Sequence, residues 1–271
     1  MAKIPAFSLP SEPATLIQFR APTVSDSLDF CGLRKDLEEK AATEYLRQLQ
    51  DAPVSDPELW TAQDRRTALW WIFMSITDDT SLSYSYECAH CGDTHHVDVD
   101  LVELDDQMIV LDVPPYITGE ILVGGEPMAA RFHPLDGRAV THLEEMRLAL
   151  ADADEVQTAR IRAEIKVLET VHAFTLDAHQ GMSWQEALAA KTALVMAMER
   201  EREYTPLVAQ CLLAAEELRH GLATEIRDGE VFVLSPPLPC ESDKFKEGAP
   251  ELRPATVLEM RFRGQHFIPA V

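Results

Sequence analysis

The chain has 271 residues, 46% of them hydrophobic, enough to bury a sizeable core in one large domain or two small ones. Its 46 acidic residues outnumber 24 basic ones, and the net charge of −22 repels phosphate backbones, which argues against a nucleic-acid partner. The longest apolar run, 69–74, falls far short of the about 20 residues a bilayer span needs; no secretory leader is evident, and five scattered cysteines make no disulfide framework, so a reducing cytoplasm at synthesis is expected.

Weak strand signals open the chain at 4–9 and 15–20, separated by a Pro-Ser-Glu-Pro turn. A helix is predicted from Thr23 or Ser25 to about Gln50. A Pro-containing break follows, then a second helix over 57–77 whose Leu59, Leu69, Ile72, Phe73 and Ile76 make an apolar stripe. Between 81 and 101 the residues alternate. Leu82, Tyr84, Tyr86 and Cys88 share one face of a first strand; His95, Val97, Val99 and Leu101 share one face of a second. The turn between them is Cys88-Ala89-His90-Cys91-Gly92, and matching apolar partners predicts the register Cys88 with His95, Tyr86 with Val97, Tyr84 with Val99 and Leu82 with Leu101. A second hairpin is predicted over 116–133 around Gly124-Gly125.

Beyond Gly137 the composition turns to Ala, Leu, Glu and Arg, and helices are predicted at 138–151, 153–179 and 183–220, the last breaking at Pro206. Ser183 and Glu186 form a capping box. The tail reads as strands at 225–227 and 231–234, a Pro-rich loop over 235–254 without regular structure, and a last strand at 256–263. The expected fold class is therefore α+β: two N-terminal helices with β-hairpins, one a Cys-x-x-Cys knuckle, then a long helical region and a short β-rich C-terminal tail. The corresponding domains are 1–136, 137–222 and 223–271.

The turn at Cys88 and Cys91 is the chemically informative element. A Cys-x-x-Cys-Gly knuckle lets two thiolates converge on one cation, and His95 on the same face adds a third ligand, which points to one structural zinc ion. A fourth ligand has to come from elsewhere; Cys31, His133, Cys211 and Cys240 are the candidates. The competing reading is a knuckle without metal, with His95 at the edge of a core. His96, Asp98 and Asp100 share the opposite, polar face, which reads either as a solvated strand surface or as a carboxylate–imidazole site. Asp78-Asp79 and Asp105-Asp106 read as turn and cap residues. No Gly-x-Ser-x-Gly, His-Glu-x-x-His or phosphate-binding glycine pattern occurs, so no catalytic or cofactor-binding residues are assigned and an enzyme is not expected.

The order of features over residues 8–135 resembles the T-even-type baseplate protein family of contractile-tailed phages. The residues carrying this likeness are Leu9-Pro10-Ser11, the run from Arg20 to Asp26, Asp64-Arg65-Arg66, Tyr86 to Gly92, and Val97-Asp98-Val99-Asp100-Leu101. The resemblance implies a non-enzymatic structural or assembly component of the baseplate hub, assembled in the host cytoplasm and located in the virion tail. It would act by docking on other baseplate, hub and tail proteins, in a symmetric oligomer, without nucleic acid or membrane. The knuckle alone supports an alternative, a zinc-knuckle adaptor or regulator of a cell.

Overall fold

The computed structural model describes residues 4–30, 37–51, 55–227, 229–245 and 253–268. An antiparallel hairpin comes first, β1 (Phe7–Leu9) and β2 (Glu12–Ile17). Helices α1 (Val24–Phe30), α2 (Glu38–Gln48) and α3 (Ala62–Ile76) follow, with Leu37 in non-helical backbone where one continuous helix was predicted. Phe7, Ile17 and Phe19 pack with Phe30, Tyr45, Leu46, Leu49, Leu69 and Ile72 into a first core. Thr61 starts α3 by accepting the N–H of Asp64.

The knuckle hairpin is β3 (Ser81–Glu87) with β4 (Thr94–Asp100). Its register differs by two residues from the expected one: Tyr86 faces His95, Tyr84 faces Val97 and Leu82 faces Val99. Cys88 belongs to the turn, since its N–H donates to Asp93 O (2.9 Å) and its carbonyl accepts from Gly92 N (2.8 Å), and this moves the ladder back. A shift of two preserves the faces, so the inward set of Tyr84, Tyr86, His95, Val97 and Val99 survives.

The second hairpin is β5 (Ile117–Val123) and β6 (Glu126–Phe132), joined by the expected Gly124-Gly125 turn. Then come α4 (Gly137–Leu148), α5 (Glu155–His172), β7 (Phe174–Leu176), α6 (Trp184–Ala197) and α7 (Thr205–Glu217). The predicted helix 153–179 stops at His172, because Phe174-Thr175-Leu176 add a third strand to the second sheet, facing Phe132, Arg131 and Ala130. With Ile121, Val171, Val195, Leu207 and Cys211 these strands and helices enclose a second core. The break before α7 comes at Met198, in extended backbone, not at Pro206. Pro206 sits in the first turn of α7, where its fixed φ suits the helix.

The C-terminal part holds β8 (Thr224–Arg227), β9 (Glu230–Leu234), β10 (Leu238–Pro239), β11 (Ala255–Thr256) and β12 (Glu259–Arg261). Strand β9 lies between β8 and β12, and β10 pairs with β11. The stretch predicted as loop thus contributes a strand. Val233 and Met260 join Trp70, Val99, Leu101, Leu104 and Leu222 in a third core, so the tail is built into the body through α3.

The expected fold class is corrected accordingly. The protein is mixed α/β, with helices and short strands interleaved in small sheets, not a pair of N-terminal helices followed by an uninterrupted helical region. Phe174, Thr175 and Leu176 are the physical reason: buried, exposed, buried, they satisfy the edge of β6 better than another turn of α5 would. Among the described residues no helix is long and apolar enough to cross a membrane.

Candidate metal centre

The turn between β3 and β4 is held by backbone bonds from Gly92 N to Cys88 O and from Cys88 N to Asp93 O. Gly92, at φ +80°, lets the chain reverse where a side chain would be strained. The reversal aims the Cys88 and Cys91 thiols the same way, and β4 carries His95 back beneath them. The fourth member comes from beyond β10. Cys240 donates its N–H to Pro254 O (2.8 Å), which fixes it next to the knuckle, and His90 Nε2 lies 3.2 Å from Ala255 O across the same junction.

The donor atoms of Cys88, Cys91, His95 and Cys240 all lie within 4.8 Å of one another, an arrangement that could hold a metal ion. Cys88 Sγ is 3.7 Å from Cys240 Sγ, His95 Nε2 is 3.2 Å from Cys91 Sγ, and His95 Nε2 is 3.8 Å from Cys240 Sγ. Cys88 and Cys240 are buried, while Cys91 and His95 are half-buried. None of the three cysteines is in a disulfide. No protein-family model, curated protein or solved structure matches the chain.

Local electrostatics favour a charged sulfur here. Burial opposes ionisation of Cys88, but the N–H groups of His90 and Cys91 and the neighbouring thiols of Cys240 and Cys91 outweigh it and lower its pKa. At Cys91 the Asp93 N–H (3.4 Å from Sγ) favours the thiolate, yet burial and the adjacent Cys240 and Cys88 sulfurs raise its pKa. One thiol of the pair therefore ionises first, and an added cation is what allows the rest to follow.

Of the residues named from sequence, Cys88, Cys91 and His95 come together, and Cys240 is the distant candidate that joins them. Cys211 is buried in the second core and His133 lies near Pro134, whose carbonyl is 3.0 Å from Nδ1. Cys31 lies outside the described residues. On the opposite face of the hairpin, His96 Nδ1 pairs with Ser85 Oγ (2.7 Å), Asp98 accepts from Ser83 Oγ (2.5 Å) and Asp100 accepts from Thr80 Oγ1 (2.7 Å). These three residues each serve a cross-strand or cap contact and do not converge on a common point. Asp79 likewise caps, accepting from Ser81 N (3.2 Å).

Sequence reading missed a second polar cluster. Asp64 is 0% exposed, yet it accepts from Ser11 N (2.9 Å), Ser11 Oγ (2.5 Å) and Thr61 Oγ1 (2.8 Å), and the Thr61 hydroxyl also meets His220 Nε2 (2.6 Å). These bonds tie the N-terminal hairpin, α3 and the segment after α7. The available signal was Asp64 three residues after Thr61, a helix-start pattern that also placed the carboxylate inside.

Proposed function

We propose that the chain is a non-enzymatic structural or assembly protein in which Cys88, Cys91, His95 and Cys240 hold one structural zinc ion. The observation that carries this reading is the donor set. Four protein ligands of thiolate and imidazole type, from two remote segments, form a closed site; catalytic zinc sites keep one position free for water or substrate. Around an ion with bonds of about 2.3 Å to sulfur and about 2.0 Å to nitrogen, tetrahedral ligands stand about 3.8 Å apart for two sulfurs and about 3.5 Å apart for sulfur and nitrogen. The separations of 3.7, 3.2 and 3.8 Å fall close to those values. The ion would fasten the knuckle hairpin to the C-terminal segment.

The setting we propose is the baseplate of a contractile phage tail, on the strength of the ordered sequence features over 8–135. Docking is the mode of action this implies. The helical region offers apolar side chains for it that the chain leaves uncovered, including Met196 at 70% exposure, Leu212 at 67% and Leu213 at 66%. The test has two parts. Native mass spectrometry of the purified chain is expected to show one zinc per chain, removed by chelator. Tagged full-length protein co-expressed with baseplate and hub proteins is expected to copurify with them. Absence both from purified virions and from hub and tail complexes would overturn the baseplate setting, and recovery with cellular proteins alone would favour a cellular adaptor instead.

A further inference from the structure

Helix α3 carries two adjacent arginines that the fold treats differently. Arg65, 1% exposed, donates to the Glu39 carbonyl (2.5 Å) and to Thr43 Oγ1 (2.8 Å), and lies 3.3 Å from the Glu39 carboxylate. Arg66 is 8% exposed and, among the described residues, makes no hydrogen bond and has no carboxylate within 4.0 Å. It lines a cavity of about 320 Å³ between α3, α4 and the C-terminal strands. The other arginines of that wall are matched: Arg65 with Glu39, Arg147 with Glu169, Arg261 with Glu230 and Arg263 with Glu38. Glu144 is engaged as well, accepting the N–H groups of Glu39 (2.9 Å) and Lys40 (3.4 Å).

Among the described residues Arg66 is thus a side chain nine-tenths buried with no direct partner, and its guanidinium opens onto the cavity. Burial lowers its pKa, but a guanidinium keeps its proton at neutral pH, so the charge stays and no described residue neutralises it by direct contact. Of the five arginines lining the wall, four have a carboxylate within 4.0 Å and Arg66 has none among the described residues. One unmatched cation suits a single negative charge, and the carboxylates of Glu38, Glu39 and Glu230 on the same wall would repel a phosphate dianion. Leu69, Leu148 and Phe262 supply an apolar part of the same wall. The volume is at the small end of ligand sites, which run from about 300 to 1,000 Å³.

We propose that this cavity binds a carboxylate on an apolar stem, the carboxylate pairing with Arg66 and the stem meeting Leu69, Leu148 and Phe262. A free organic acid and a glutamate side chain of a docking protein present the same chemistry, and the test separates them. Full-length protein is titrated with sodium butyrate, with the capped peptide acetyl-Ala-Glu-Ala-amide, with neutral butyramide and with inorganic phosphate, at constant ionic strength, by calorimetry and thermal unfolding. A saturable rise in Tm with butyrate identifies a small acid as the ligand type; a rise with the peptide alone identifies a protein side chain. Butyramide should do nothing, and Arg66→Gln or Arg66→Met should weaken carboxylate binding by about tenfold or more. Without ligand, Arg66→Met should melt no lower than the parent, whereas Arg65→Met should melt well below it, because of the two Arg65 is the one bonded to other described residues. The proposal is overturned by silence from both carboxylates, by phosphate binding more tightly than either, by undiminished binding in Arg66→Met, or by an Arg66→Met drop as large as that of Arg65→Met.

Discussion

Replacing Cys240 by serine isolates what the metal centre contributes. The variant keeps Cys88, Cys91 and His95 on one hairpin but cuts the link across the 152 residues that separate Cys88 from Cys240. Treated as a cross-link, closing a loop of that length restricts the unfolded chain by about 5 kcal/mol at 25 °C. That is a third or more of the stability of a typical domain, about 5–15 kcal/mol. For a chain of this length the unfolding entropy is roughly 0.6 kcal/mol/K, so the loss corresponds to about 9 °C in Tm. The assay is thermal unfolding followed by circular dichroism, for parent and Cys240→Ser, each with zinc and with excess chelator, alongside metal content per chain. The parent with zinc should melt about 9 °C above the variant, and chelator should bring the two together. Two results would refute the reasoning: a variant melting within about 2 °C of the zinc-loaded parent, or a parent indifferent to chelator.

Three further outcomes follow from other sites. Asp64→Ala leaves the Ser11 amide and the Ser11 and Thr61 hydroxyls buried without their acceptor, and should lower unfolding free energy by about 3 kcal/mol in urea titration; a loss under about 1 kcal/mol would show the cluster to be idle. Gly221→Ala combines φ +70° with a new Cβ 2.4 Å from Thr67 Oγ1, and should cost clearly more than Gly92→Ala, which meets nothing within 4 Å and carries only the backbone penalty of about 1–2 kcal/mol; equal losses in the same titration would contradict this. Burial, reinforced by His142 and Lys191, lowers His172 from 6.5 to about 4, so the unfolded chain takes up a proton first and stability falls as pH drops through that window. Burial raises Glu144 from 4.5 to about 7, with the opposite sign: its contribution is present below 4.5 and is lost as pH rises through about 7. His172→Gln should flatten the acid limb of the stability–pH curve and leave the Glu144 limb in place; an unchanged acid slope would count against the buried neutral histidine.

What could be read from the residues was local. The spacing of Cys88 and Cys91, the alternation of Val97 and Val99, and the Ser183–Glu186 cap each lie within a few positions, and the structure keeps all of them. The hairpin register was misread because apolar matching alone cannot tell whether Cys88 is the last ladder residue or the first turn residue; the Asp93 carbonyl decides that. Strand β7 spans three residues, too few for any period to show, and exists because the edge of β6 is there to receive it. Cys240 sits among prolines in a segment without pattern, and reaches the knuckle only through the pairing of β10 with β11 and the bond to Pro254 O. Asp64, Arg65 and Arg66 look like a solvated helix start. They are at most 8% exposed, because α3 is covered by the N-terminal hairpin, by α2 and α4 and by the C-terminal segment together.

The third and fourth donors lie 145 residues apart in the chain. At about 5–20 residues added per second, a ribosome needs roughly 7–30 s to make the interval between them. For that time a nascent copy can offer an ion three ligands and an open side, and the fourth becomes available only once residue 240 has emerged. An ion held by all four donors therefore marks copies translated past residue 240 and separates them from copies that stop short of it.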